Sequence, residues 1–128
     1  MDKIHQEIVV KAPPARVYEV LTDAAQFSKM TGGAPTDIDA EAGGAFSLFG
    51  GMITGRNIEC VADERLVQAW RAKPWEAGAY SIVRFALRNE EGGTRVVLDH
   101  AAYPEGQGEH LDKGWHANYW QPLIKLFL

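Results

Sequence analysis

A chain of 128 residues with 46% hydrophobic and 23% charged side chains has the balance of a globular protein, so disorder is excluded and one domain over residues 1–128 with one sizeable core is expected. The net charge is −4 and the 13 Lys and Arg are scattered along the chain, which argues against nucleic acid as a partner. No apolar run nears the roughly 18 residues of a membrane span, the first residues lack a secretory apolar stretch, and Cys60 is the lone cysteine; a cytoplasmic protein without internal disulfides is expected.

Ile4, Ile8 and Val10 mark an opening strand that Pro13-Pro14 ends, because proline lacks a donor and restricts the residue before it. Val17, Val20 and Leu21 then recur at helical spacing, which predicts a short helix from about Pro14 to Leu21. Asp23 caps a second, over Ala24 to Met30, and Thr31-Gly32-Gly33-Ala34-Pro35 breaks it. From there to Tyr103 alternation replaces helical periodicity, with turns at Gly50-Gly51, Ala62-Asp63-Glu64, Pro74 to Gly78 and Asn89 to Gly93. The glycine pairs Gly43-Gly44 and Gly50-Gly51 bracket a bent strand and fit hairpin turns better than a phosphate loop. Leu66, Gln68 and Trp70 share one face of a strand; Val83, Phe85 and Leu87 share one face of another. In the last strand Val96, Leu98 and His100 face one way, with Arg95, Val97 and Asp99 opposite. Short connections favour an antiparallel meander. From about Gly108 to Leu128, Leu111, Trp115, Tyr119, Leu123 and Leu126 form a helical stripe, and Pro122 within it predicts a kink or break near Tyr119. The expected class is α+β: a curved antiparallel sheet of about six or seven strands wrapped around a long C-terminal helix, with two short helices after the first strand.

Candidate chemistry is sparse. Phe46, Trp70, Trp75, Phe85, Trp115 and Tyr119 are the candidates to line a cavity between sheet and helix, although for most of them solid core is the commoner role in a small domain. His100 has inward parity and would supply a polar group at one end of such a cavity; structural hydrogen bonding outweighs catalysis for a histidine so placed. Asp99 should face away from it, so a His-Asp pair is not supported. His110 and His116, six apart on a helix, turn away from each other, and no Cys-x-x-Cys, His-Glu-x-x-His or carboxylate cluster occurs; neither metal nor cofactor is expected. Cys60 reads as a buried strand thiol.

Five stretches stand out along the chain: Ala12-Pro13-Pro14-Ala15-Arg16-Val17-Tyr18 with Leu21-Thr22-Asp23; Gly43 to Gly51 with Gly55; Glu64-Arg65-Leu66 leading to Trp70; Gly93-Thr94-Arg95 leading to Leu98 and His100; and Gly114-Trp115. In this order the chain resembles the START-like helix-grip proteins, and more closely the C-terminal domain of the activator of the heat shock protein 90 ATPase and its stand-alone bacterial relatives. The resemblance implies the fold more firmly than the function, since that scaffold hosts ligand carriers, enzymes and regulators. It implies a non-enzymatic binder of an apolar or amphipathic small molecule, or a stress-related regulator, as a monomer or weak homodimer. A cavity opening near the Pro122 kink would serve the first role. Two alternatives stand beside these: a co-chaperone partner of a heat shock protein 90 homologue, and a cyclase-like enzyme using the internal cavity. The activator's separate N-terminal domain has no counterpart here, which implies weak ATPase stimulation at best.

Overall fold

Alternation of apolar and polar side chains dictates a sheet with one buried face. The computed structural model describes residues 2–128. Its strands are β1 (Lys3–Val10), β2 (Asp37–Ile38), β3 (Ala45–Leu48), β4 (Ile53–Val61), β5 (Arg65–Ala72), β6 (Ser81–Glu90) and β7 (Gly93–Ala101). They form one seven-stranded sheet in the order β1-β7-β6-β5-β4-β3-β2, antiparallel throughout. Leu66, Gln68 and Trp70, then Val83, Phe85 and Leu87, then Val96, Leu98 and His100 are all buried on the inner face, as their parity requires.

Between β1 and β2 lie α1 (Pro14–Thr22) and α2 (Ala24–Met30), with Pro14 in the first turn of α1. The Asp23 carboxylate accepts the Gln26 N–H at 3.0 Å, the N-cap bond that lets α2 start immediately after α1. Two features interrupt the alternation. The register of β4 against β5 slips between Asn57 and Glu59, so Asn57 and Cys60 both pair with inward residues, Gln68 and Leu66. Cys60 is half-buried, not fully buried as expected, because it lies near the end of the bulged strand beside Tyr18. Burial pushes the Cys60 thiol up and the Tyr18 phenol up to about 12. Gly55 pairs with Phe46, and a Cβ there would fall 2.6 Å from Phe46 Cζ, so the ring occupies the space a side chain would need.

The C-terminal helix comprises α3 (Gly108–Trp115), a π-helical turn over His116–Trp120 and α4 (Gln121–Leu126). In the π turn the Gln121 N–H reaches back five residues to the His116 carbonyl, and Pro122 follows without an N–H of its own. This is the irregularity expected near Tyr119. It advances the buried stripe by one residue: Leu111, Trp115, Tyr119 and Leu123 are buried, Leu126 is only half-buried, and Trp120 is 2% exposed. Trp120 stacks on Trp115 with ring centroids 5.7 Å apart and planes 20° apart, an i, i+5 contact that the π turn allows. Gln6 of β1 fastens this part of the helix, accepting the Trp120 indole N–H at 2.6 Å and donating to the Asp112 carboxylate at 2.9 Å. Among the described residues, no helix is long and apolar enough to cross a membrane.

Candidate functional site

Three segments converge where β5 leaves the helix. The β3–β4 connection contributes Phe49, which takes φ +53 and is followed by Gly50 at +66 and Gly51 at +93. Glycine adopts that region freely, whereas a phenylalanine does so at a cost, and here the conformation coincides with a ring placed edge-on to Phe27 and Tyr119 at 5.6 and 5.7 Å. The β5–β6 loop contributes Trp75, which packs on Trp70 at 5.7 Å. Arg71 holds that loop by donating to the carbonyls of Trp75 at 2.9 Å and Glu76 at 2.8 Å, and its guanidinium lies 5.7 Å from the Tyr80 ring centre. The helix contributes Leu111, Gly114, Trp115 and Tyr119.

Between these segments lies an apolar cleft of about 420 Å³. Ile53, Trp70 and Ala72 contribute the sheet side, Trp75 and Pro74 the loop side, and Gln107, His110 and Asn118 its polar contacts. No Lys, Arg, Asp or Glu is among its lining residues. Two polar atoms of lining residues are sealed from solvent without a hydrogen-bond partner: Trp70 Nε1 and Tyr119 Oη. Burial drives the Tyr119 pKa well above the ordinary phenol value, against a lowering contribution from the nearby Trp70 indole N–H, so the hydroxyl keeps its proton.

His100 lies behind this cleft. The Trp115 indole can only donate, so the 3.0 Å contact from Trp115 Nε1 makes His100 Nδ1 an acceptor and puts the ring proton on Nε2. Nε2 then donates to Ser81 Oγ at 2.7 Å, and Ser81 donates to the Trp70 carbonyl at 3.0 Å. Both ring nitrogens are thereby committed to the fold, and burial lowers the His100 pKa to about 4. Asp99 points to the outer face, where it bonds the His5 ring at 2.6 Å. That bond, together with one to Glu7 at 2.8 Å, raises the His5 pKa.

Of the residues expected to share a cavity, Trp70, Trp75, Trp115 and Tyr119 come together in the cleft, whereas Phe46, Phe85 and His100 are buried outside its lining. The exposed residues of the cleft's lining are Met52, Pro74, His110 and Asn118, and Pro122 is not among the lining; an open groove with Lys29, Lys125 and Met30 flanks that proline, where Leu123 and Trp120 fill the interior. Phe49 and Arg71 were not foreseen. The sole signal for Phe49 was its place before a glycine pair, and nothing local marks Arg71 as a clamp on carbonyls. His110 lines the cleft alone, and among the described residues no three His, Cys, Asp or Glu side chains are grouped to hold a metal ion.

Residues 11–127 match the family described as activator of Hsp90 ATPase homolog 1-like protein. The human activator of 90 kDa heat shock protein ATPase homolog 1 is 25% identical over 114 residues, covering 89% of this chain and 33% of the human protein. The chain thus spans about a third of the length of the curated relatives it matches. Among solved structures, an HSP90 activator from Plasmodium falciparum superposes with a TM-score of 0.93 at 25% identity, covering 98% of this chain and 96% of that one. The Aha1 dimer from Colwellia psychrerythraea gives 0.83 at 18% identity, covering 100% and 98%, and supports the fold. Sequence match, strand order and helix grip agree from α1 to the C-terminal helix: the chain belongs to the family of activator of Hsp90 ATPase homolog 1-like proteins.

Proposed function

We propose that the protein is a non-catalytic binder of an apolar or amphipathic small molecule, held in the cleft between β5, the β5–β6 loop and α3. The observation that carries this reading is an apolar cleft of about 420 Å³ walled by Trp70, Trp75, Trp115 and Tyr119, with Gln107, His110 and Asn118 as its polar groups. Its volume falls in the usual range for small-molecule sites, roughly 300–1,000 Å³, and aromatic walls with a few polar groups are the usual lining. Binding is favoured over turnover because the lining holds no carboxylate, serine or cysteine to work with His110, and both ring nitrogens of His100 are hydrogen-bonded. The test is titration with the neutral fluorescent probe N-phenyl-1-naphthylamine. Saturable uptake, weakened by Trp75→Ala, is expected; no saturable uptake up to about 1 mM would sink the reading.

A second reading, a partner of a heat shock protein 90 homologue, is favoured by the match to the Plasmodium falciparum HSP90 activator over 96% of that chain. Both roles are compatible on one scaffold, one using the cleft and the other an outer surface. ATP turnover by the purified chaperone of the same host, measured with and without this protein, checks it. Stimulation that survives Trp75→Ala would assign the contact to a surface outside the cleft, and no stimulation together with no calorimetric binding would remove this reading.

A further inference from the structure

A glycine inside a helix loses the most backbone freedom on folding and brings no side chain to pack, so Gly114 calls for a cause. Left-handed backbone is not the cause: Gly114 lies within α3, and the helix runs on through Trp115 into the π turn. Crowding is not the cause either. A Cβ at Gly44, Gly55 or Gly93 would collide with the backbone oxygen of Asp39, Ala69 or Val10 respectively. At Gly114 its nearest neighbour would be Asn118 Nδ2 at 3.7 Å, an ordinary van der Waals distance. The fold would therefore accept a side chain there. What the glycine leaves bare is a stretch of helix backbone in the lining of the apolar cleft.

The surroundings of that stretch limit what can lie on it. Gln107, Leu111, Gly114 and Asn118 recur at three- and four-residue spacing, so they share the helix face that lines the cleft, and a side chain at 114 would take up space within it. Trp70, Trp75 and Trp115 wall the same space with flat rings, which a flat ring meets with the most contact. The polar group beside the bare backbone is the Asn118 amide, which is exposed, offers both donors and an acceptor, and carries no charge. No Lys, Arg, Asp or Glu lines the cleft, so an ionised group drawn between its walls would lose hydration with no counter-charge in return.

We infer that Gly114 is the specificity-determining position of the cleft: an uncharged, ring-bearing molecule lies across the bare helix backbone there, beside the Asn118 amide, and a side chain at 114 excludes it. This rests on the ligand-binding reading above. Gly114→Ala and Gly114→Leu, titrated with N-phenyl-1-naphthylamine beside the unaltered full chain, test it; Lys113→Leu, at an exposed neighbour outside the lining, is the control. Affinity should fall severalfold in Gly114→Ala, fall at least about tenfold in Gly114→Leu and stay unchanged in Lys113→Leu. The melting temperature of Gly114→Ala should rise, because alanine is the better helix former. Binding and stability then move in opposite directions, which a glycine serving only the fold would not produce. The Gly114 amide should be among the NMR resonances most shifted by the probe. 8-Anilino-1-naphthalenesulfonate, the same ring frame with a sulfonate added, should bind more weakly than the neutral probe. Unchanged affinity in both Gly114 variants, with Trp75→Ala still weakening uptake, would overturn the inference and leave the cleft a binding site. A lowered melting temperature in Gly114→Ala would assign the glycine to the fold and overturn it too, as would tighter binding of the sulfonate. Should Gly114→Leu fail to fold, the loss in Gly114→Ala decides. No saturable uptake by the unaltered protein would instead remove the ligand-binding reading itself.

Discussion

At the Gln6 end of the helix–sheet contact the indole of Trp120 has a built-in acceptor, and Trp115 delivers its N–H to His100; in the adjoining cleft Trp70 and Tyr119 keep theirs unused. The residue types are alike and the rings touch, with Trp115 and Tyr119 centroids 4.3 Å apart. What differs is the presence of a strand side chain of complementary polarity. Gln6 and His100 sit on β1 and β7, adjacent strands whose register is set by continuous pairing from Lys3 to Val10. The cleft end relies on the β3–β4 and β5–β6 connections. An aromatic interior therefore closes where regular strands can supply acceptors and stays open where irregular connections form the wall.

The closed end should be costly to disturb. Trp120→Ala should destabilise the protein by about 4–5 kcal/mol in urea unfolding, since it removes a buried indole and strands the Gln6 acceptor. A loss below about 1 kcal/mol would mean that the Gln6 anchor is not part of the core. Acid should reach the same region through His100. Its folded pKa, lowered to about 4, lies below the unfolded value near 6.5, so the neutral ring contributes full stability above pH 6.5 and that contribution falls as pH drops from 6.5 to 4. At full protonation the loss is about 3 kcal/mol. Nitrogen-detected NMR should show a neutral ring protonated on Nε2 until near pH 4; titration near pH 6.5 would contradict the relay through Ser81 and Trp115. His5 works in the opposite sense, because its raised pKa gives stability below the unfolded value that is lost as pH rises through the folded one. His5→Gln separates the two trends.

The same contrast explains what was legible in the sequence. Strands β5, β6 and β7 show their inner faces by alternation, although Val97 on the opposite face of β7 is buried as well, and His100 could be placed inward before its partners were known. Strand β4 hides its parity behind the bulge that brings both Asn57 and Cys60 inward, and β2 is two residues long with its place set by pairing to Phe46 and Ser47. Trp120 falls off a 3.6-residue stripe that starts at Trp115 and joins the core only because the π turn inserts a residue; Pro122 signalled the irregularity but not its direction. Of the cleft's lining, Trp70, Trp75, Trp115 and Tyr119 were visible as aromatic residues of β5, the loop after it and the C-terminal helix. Phe49 and the Arg71 clamp depend on loop conformation, which the period of the flanking strands does not encode.

At the open end, Arg71→Ala should cost about 1–2 kcal/mol by freeing the carbonyls of Trp75 and Glu76, and faster amide exchange should be confined to the β5–β6 loop. Arg71→Lys should rescue little, because one ammonium cannot span the same fork of carbonyls. Loosening that spread to β6 and β7 would show that the loop supports the closed end as well.

Tyr119→Phe should have the smallest effect of all. The ring, which touches Trp115, Phe27, Phe49 and Phe85, is retained, and the only atom removed is a buried oxygen without a partner. Deleting a satisfied buried hydroxyl normally destabilises, whereas deleting an unsatisfied one removes a desolvation penalty. The unfolding free energy should therefore be unchanged or raised by no more than about 1 kcal/mol in the absence of ligand. The corresponding change at the closed end, Gln6→Leu, removes an acceptor already in use and should cost about 1–3 kcal/mol. If Tyr119→Phe proved as damaging as Gln6→Leu, the hydroxyl would have a partner in solution and the two ends of the interface would not differ in the way their hydrogen bonds indicate.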